Sequence, residues 1–175
     1  MVRATMTAIY TFDWGSLGDL GVGRPNLGDV TSVTAYRLFQ FSLRHVLEER
    51  MGVAETDAML HRAGRLAGKE FAATQLDRGR CPEDYLADAI RKMEELRIGV
   101  LRTEKADLDK MEFTLTVSED LDCSGVPITG RPICSFDEGF IAGMFERFAG
   151  RPFAVKEIDC WATGAKICRF AVRPA

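Results

Sequence analysis

Histidine is scarce in this sequence: only His45 and His61 are present. Both lie beside charged neighbours, without the spacing of metal ligands. They read as solvated side chains, and chemistry built on a placed imidazole base has no obvious candidate. A basic excess is also missing. The net charge of −3 and the pI near 5.5 argue against a nucleic-acid partner, whose phosphates call for a basic stripe. No apolar run approaches the roughly 18 residues that a membrane span requires. The opening MVRATMTAIYTFDW has neither a sustained apolar core nor a small-residue cleavage pattern. No membrane partner is expected, and the expected compartment is the cytoplasm. Glycines gather in DWGSLGDLGVGRPNLGDV, residues 13–30, but not as G-x-G-x-x-G, and no Gly-Lys-Ser/Thr follows. That stretch reads as an irregular entry loop rather than a phosphate cradle.

What the chain does hold is cysteine, at positions 81, 123, 134, 160 and 168. The number is odd, and four of the five crowd the last third. In a reducing compartment such a cluster points to metal binding or catalysis before disulfides. Cys81 alone suits the reading of a small buried hydrophobe. At 175 residues the chain has the length of one domain with its own core. We expect residues 1–30 to form an entry segment and residues 31–175 a single domain.

Periodicity and punctuation set the elements of that domain. Residues 31–52, TSVTAYRLFQFSLRHVLEERMG, start at a Thr/Ser cap and stop at Gly52. Tyr36, Phe39, Leu43, Val46 and Leu47 line one face and Leu38 and Phe41 another, which predicts a central helix. A second helix over 54–76 should turn Leu60, Ala63, Leu66, Ala67 and Phe71 inward, and Gly64 and Gly68 share a face that admits close contact. Pro82 opens a third helix. Strands are predicted over 98–105 and 111–118, the second alternating Met111, Phe113, Leu115 and Val117 with polar residues. A fourth helix follows Cys134, with Ser135 as cap, Glu138 completing a capping box and Gly150 as stop. Strands over 152–159 and 167–172 end the chain as a hairpin. Helices first and antiparallel strands later describe an α+β domain, helices packed against an antiparallel sheet.

KEIDCWATGAKICRF, residues 156–170, concentrates the chemistry. Glu157 shares a strand side with Phe153 and Val155, so it carries a desolvation cost unless it has a partner. Cys168 shares a side with Phe170 and Val172, which lets it face Glu157 across the hairpin. Cys160 falls where the strand ends and the turn begins. Cys134 precedes a helix, whose positive end favours a thiolate. Cys134, Glu157, Cys160 and Cys168 therefore make a plausible four-coordinate zinc shell, closed to water and structural. Lys156, Lys166 and Arg169 are at hand to moderate its charge.

These residues also resemble a known family. VPITGRPICSFDEGFIAGMFERFAGRPFAVKEIDCWATGAKICRF is similar to the 4-vinyl reductase domain. The signature is a cysteine opening a GFIAG-type helix, then E-x-x-C-W-x-x-G and a third cysteine: Cys134, Gly139 to Gly143, Glu157, Cys160, Trp161, Gly164 and Cys168. The resemblance implies a fold like the ligand-binding domains of nitric-oxide sensing and Golgi-transport proteins. It also implies a role as a sensor module for aromatic hydrocarbons or a link to bacteriochlorophyll synthesis, and zinc held by Cys134, Glu157, Cys160 and Cys168. Cys123 adds an alternative. It lies eleven residues before Cys134 on a loop that can fold back, giving a four-cysteine site with Glu157 just outside it.

The leading expectation is thus a zinc-containing domain that binds a hydrophobic small molecule, aromatic or tetrapyrrole-like, between helices and sheet. Its output would pass through a signalling partner protein. An enzyme or accessory factor of tetrapyrrole metabolism is the alternative, although the sequence contains no nucleotide motif or hydride-donor site. Redox-active thiols are a third reading. The faces Gly64/Gly68 and Gly139/Gly143 serve helix packing or a homodimer equally well.

Overall fold

The computed structural model describes residues 11–175. The chain divides into two compact units, 1–30 and 31–175. In the described part of the first, Asp13 caps a 3₁₀ turn, Trp14–Leu17, and Asp19 caps the single-turn helix α1, Leu20–Gly23. Short polar side chains accept backbone N–H groups at both starts, as helix N-termini require.

The second unit begins with α2, Val33–Met51, capped by Ser32. Gly52, at φ 81°, lets the chain turn at once into α3, Val53–Gln75; few other residues adopt that conformation without strain. After α4, Pro82–Glu95, come β1, Val100–Asp107, and β2, Glu112–Ser118. The last segment holds α5, Ser135–Ala149; β3, Phe153–Asp159; a 3₁₀ turn, Trp161–Thr163; and β4, Cys168–Pro174. The strands form one antiparallel sheet in the order β1-β2-β4-β3. Among the described residues no helix is long and apolar enough to cross a membrane.

The core lies between the sheet and helices α3, α4 and α5. Phe113, Leu115 and Val117 of β2 and Cys168, Phe170 and Val172 of β4 are all buried, in the registers Phe113↔Val172, Leu115↔Phe170 and Val117↔Cys168. Phe145 of α5 packs against Phe113 at 4.9 Å and Phe153 at 5.4 Å between ring centroids. Tyr85 stacks on Phe148 at 4.2 Å and donates its hydroxyl to the Met144 carbonyl at 2.8 Å. The aromatic layers thus fill one another.

Helices α3 and α5 cross glycine to glycine. A Cβ on Gly64 would strike the Phe136 carbonyl and one on Gly68 the Phe140 carbonyl. Reciprocally, Gly139 faces the His61 carbonyl and Gly143 that of Arg65. The two small-residue faces that the sequence offers for packing or dimerisation are spent on each other within the chain. Across this seam Glu146 pairs with Arg65 and, at 2.7 Å, with Lys69.

Three local expectations change. Helix α2 is peripheral: Phe39 is 68% and Leu38 69% exposed, and its buried residue is Arg44. Its inward face is polar, and hydrogen bonds rather than apolar contacts dock it. On α3 the glycines, Thr56 and Phe71 are buried while Leu66 is exposed, because close backbone approach leaves little room for large side chains on that face. Before α5 the capping box does not form: Cys134 is the N-cap, and Glu138 accepts the Glu157 N–H at 2.7 Å and Lys156 Nζ at 2.8 Å. Tertiary contact with β3 takes the carboxylate away from its own helix.

Candidate metal centre

Four segments bring cysteines to one point. Cys123 is in the loop after β2, Cys134 caps α5, Cys160 follows β3 and Cys168 opens β4. All four are buried, at no more than 1% exposure, and their Sγ atoms lie within 4.8 Å of one another. Cys134 is 3.8 Å from both Cys160 and Cys168, and Cys123 is 3.0 Å from Cys168. A tetrahedral shell of sulfurs about 2.3 Å from an ion has edges of about 3.8 Å, whereas a disulfide needs about 2.05 Å. The thiols are free, and the group can hold a metal ion. Cys81, by contrast, is exposed, not a buried hydrophobe: it stands as N-cap of α4 at the surface.

Glu157 is beside the thiols, 3% exposed. It pairs with Phe170 across the hairpin, one step from Cys168 on the same face, and a bulge follows it before Asp159. That bulge swings Cys160 back toward the other sulfurs. Glu157 Oε2 accepts the Cys134 N–H at 3.3 Å, and Oε1 is buried with no protein partner. Of the residues singled out from sequence, the structure therefore brings Cys134, Cys160 and Cys168 together with Cys123, and sets Glu157 against the Cys134 backbone.

Three further carboxylates, which the sequence reading passed over, surround the cluster. Asp120 and Asp122 are 3% and 4% exposed, and Asp137 follows on the first turn of α5. Asp120 Oδ1 accepts the Asp122 N–H at 2.7 Å, while Asp122 Oδ2 and Asp137 Oδ2 are buried without partners. Asp120, Cys134 and Asp137 themselves form a second close group of ligand atoms. The acidic run EDLDC was the available signal for Asp120 and Asp122; nothing local marked Asp137.

Burial dominates the electrostatics. It pushes Asp120 up to about 7, helped by Asp122, and Glu157 up to about 8, helped by Cys160. Asp137 rises far above the ordinary carboxylate range for the same reason, with Asp120 and Asp122 adding to it. Among the thiols, Cys160 is pushed down because Cys123, Cys134 and Cys168 donate to it; Cys134 and Cys168 are pushed up by the same contacts. Such a concentration of buried acid stays protonated or gathers a cation. The lysines and arginine expected to moderate it are engaged elsewhere: Lys156 with Glu138, Arg169 with Glu104 and Asp159, and Lys166 over the Trp161 ring. Arg37 and Arg44 of α2 act on Asp122 instead.

Histidine stays outside this centre. His45 is solvent-exposed beside Glu49, and His61 lines a cleft of about 410 Å³ with Asp57, Arg131, Lys156 and Glu157.

Residues 113–174, which contain all four buried cysteines, match the 4-vinyl reductase domain. The uncharacterized protein MJ0150 of Methanocaldococcus jannaschii is 28% identical over 67% of this chain and 64% of its own length. MJ1642 of the same organism is 37% identical over 34% and 37%. The chain thus spans less than two thirds of the length of these relatives. In fold, it is similar to the phenol-responsive sensory domain of the transcription activator PoxR with phenol: TM-score 0.64, 15% identity, covering 83% of this chain and 76% of that one. A vinyl-4-reductase family protein from M. jannaschii gives 0.59, 18%, 85% and 84%. Subunit 3 of the trafficking protein particle complex from Naegleria fowleri, covalently bound to palmitic acid, gives 0.61, 16%, 82% and 95%. An H-NOX protein from S. oneidensis gives 0.52, 15%, 78% and 74%. The fold class implied by the sequence resemblance is the one observed.

Proposed function

This chain is a member of the 4-vinyl reductase domain family through residues 113–174, and from that premise we propose a small-molecule sensor domain whose Cys123, Cys134, Cys160 and Cys168 hold one zinc ion. The observation that carries the metal is the convergence of four buried thiols from four separate segments. Tetrahedral sulfur coordination suits zinc, and a four-thiolate shell is closed, so the ion is structural. Glu157 then orients the shell through the Cys134 N–H instead of binding the ion, the usual work of groups just outside a metal centre.

Two fold neighbours support the small-molecule half: the PoxR domain was solved with phenol and the trafficking subunit with palmitic acid. We put the ligand of this chain, an aromatic or similarly apolar molecule, between α4, α5 and the sheet. There Tyr85, Phe113, Met144 and Phe145 would have to part to admit it. A partner protein would read the bound state. The name of the vinyl-4-reductase neighbour supplies the second reading, reduction or delivery of a vinyl-bearing tetrapyrrole.

One experiment separates these readings. Protein purified without added metal or chelator is taken through native mass spectrometry, then incubated with aromatics and vinyl porphyrins, with and without reductant. We expect one zinc per chain, a raised melting temperature with at least one compound, and unchanged compound mass. Folded protein with far less than one equivalent of metal would remove the zinc assignment, and turnover of a vinyl group would replace the sensor with an enzyme. The same spectrum reports whether the chain is a homodimer.

A further inference from the structure

Helix α2 is held to its unit in an unusual way. Its apolar side chains Leu38, Phe39, Leu43 and Val46 point outward, and none is buried. Inward it presents Tyr36, Arg37 and Arg44, and these grip the two loops that carry cysteines. Arg37 Nε donates to the Leu121 carbonyl at 2.8 Å, and its Nη2 to the carbonyls of Ser124 at 2.9 Å and Asp120 at 3.2 Å. Tyr36 donates to Asp122 Oδ1 at 2.7 Å. Arg44 donates to the carbonyl of Ile133, the residue before Cys134, at 2.8 Å, and pairs with Asp57 at 2.7 Å.

Cys123 sits inside the segment that Arg37 encircles. Three carbonyls from Asp120, Leu121 and Ser124 converge on one guanidinium only while that turn stays closed. Inside the turn, the Ser124 N–H bonds to the Asp120 carbonyl at 3.1 Å. On its other side the turn is fixed by what Cys123 joins, the sulfurs of Cys134, Cys160 and Cys168. We propose that α2 docking and metal binding are one linked equilibrium, with Arg37 as the positioning residue that couples them. The inference rests on the metal centre proposed above. With an ion bound, Cys123 is pinned, the turn is closed and Arg37 has its receptor. Without one, the turn relaxes and α2, lacking apolar anchors, comes loose. By reciprocity, α2 docking must strengthen the metal site by the same factor as the metal strengthens docking.

The test uses the full chain and zinc alone. Hydrogen exchange is followed across α2 and across the α3–α5 seam, with zinc bound and after chelation, and zinc affinity is measured by competition with a chromophoric chelator. The variants are Arg37→Ala, Arg37→Lys and Cys123→Ser. We expect chelation to speed exchange in α2 about tenfold, the lower end of what losing a group just outside a metal shell costs in affinity, with little change at the α3–α5 seam. Cys123→Ser, although that side chain does not touch α2, should speed α2 exchange as chelation does. Arg37→Ala should weaken zinc by the same factor. Arg37→Lys should resemble Ala, because an ammonium keeps the charge but not the planar fork. Full rescue by Lys would replace the clamp with simple charge neutralisation and overturn the proposal. If zinc binds but α2 exchanges equally with and without it, the linkage fails and the metal centre stands. If the wild-type chain holds no zinc, the metal centre fails and takes the linkage with it. The chelation arm needs no variant, so a misfolded Arg37→Ala leaves the test intact.

Discussion

Serine replaces a thiol with a similar volume and a much poorer ligand, which makes it the probe of choice at the metal centre. Because Cys123 stands 3.0 Å from Cys168 and all four sulfurs cluster, Cys123→Ser and Cys160→Ser should reduce zinc stoichiometry alike. Cys81→Ser, at an exposed position, should leave it unchanged; elemental analysis of the three purified variants decides. Glu157→Gln tests the other shell that the sequence allowed. With Glu157 outside the shell, the variant should keep one zinc and lose about 10- to 100-fold in affinity, as groups that orient ligands typically do. Loss of the zinc altogether would return Glu157 to the ion. At this scale the sequence carried much. Cys134, Glu157, Cys160 and Cys168 were legible because strand parity and a helix start fix where each side chain points. Rank between Glu157 and Cys123 was not legible, because it depends on how far one loop folds back.

The α3–α5 crossing is the element-level feature most exposed to substitution. A methyl on Gly139 or Gly64 meets backbone rather than a yielding side chain: the Arg65 nitrogen would lie 2.9 Å from the first, the Phe140 nitrogen 2.9 Å from the second. Gly139→Ala should therefore cost on the order of 1–3 kcal/mol or more through forced separation of the helices. Gly23→Ala, with open space around it, should fall within about 0.5 kcal/mol of wild type. Chemical denaturation of both variants measures this. The same seam has a pH signature. Burial raises Glu146, but hydrogen bonds from Arg65 and Lys69 outweigh it and hold the carboxyl below its ordinary value of 4.5. A depressed carboxyl contributes stability that is fully present above its unfolded value and is lost as pH falls through the folded one. Denaturation midpoints of wild type and Glu146→Gln should thus differ at pH 7 and converge below pH 4.5; a constant gap would show that the ion pair is not its source. The glycine spacing was visible in sequence, but its target was not. A small-residue face states that something comes close without stating what.

For the whole molecule, the metal centre joins the loop after β2, the start of α5 and the β3–β4 hairpin, while the aromatic layers and the glycine seam lie apart from it. Zinc-binding peptides owe on the order of 10 kcal/mol to their ion, but this chain has a core of its own in Phe71, Tyr85, Phe145 and Phe170. Chelation should accordingly leave most far-UV helical signal in place while changing the fluorescence of Trp161, next to Cys160; cooperative loss of all helix would mean that the ion holds the entire unit. Sequence by itself determined the number and order of the main elements, the strand faces and three of the clustered thiols. Those follow from local rules: side chains alternate along strands, recur near every fourth position on helices, and caps and glycines mark the ends. The tertiary structure alone decided which helix is central, where Glu138 spends its carboxylate and which thiol completes the cluster. Helix α2 carries its apolar stripe outward because Arg37 and Arg44 find carbonyls and carboxylates on loops more than 80 residues further along. A hydrophobic pattern records that a helix has an apolar face. It does not record that the opposite face, through buried hydrogen bonds, is the one that docks.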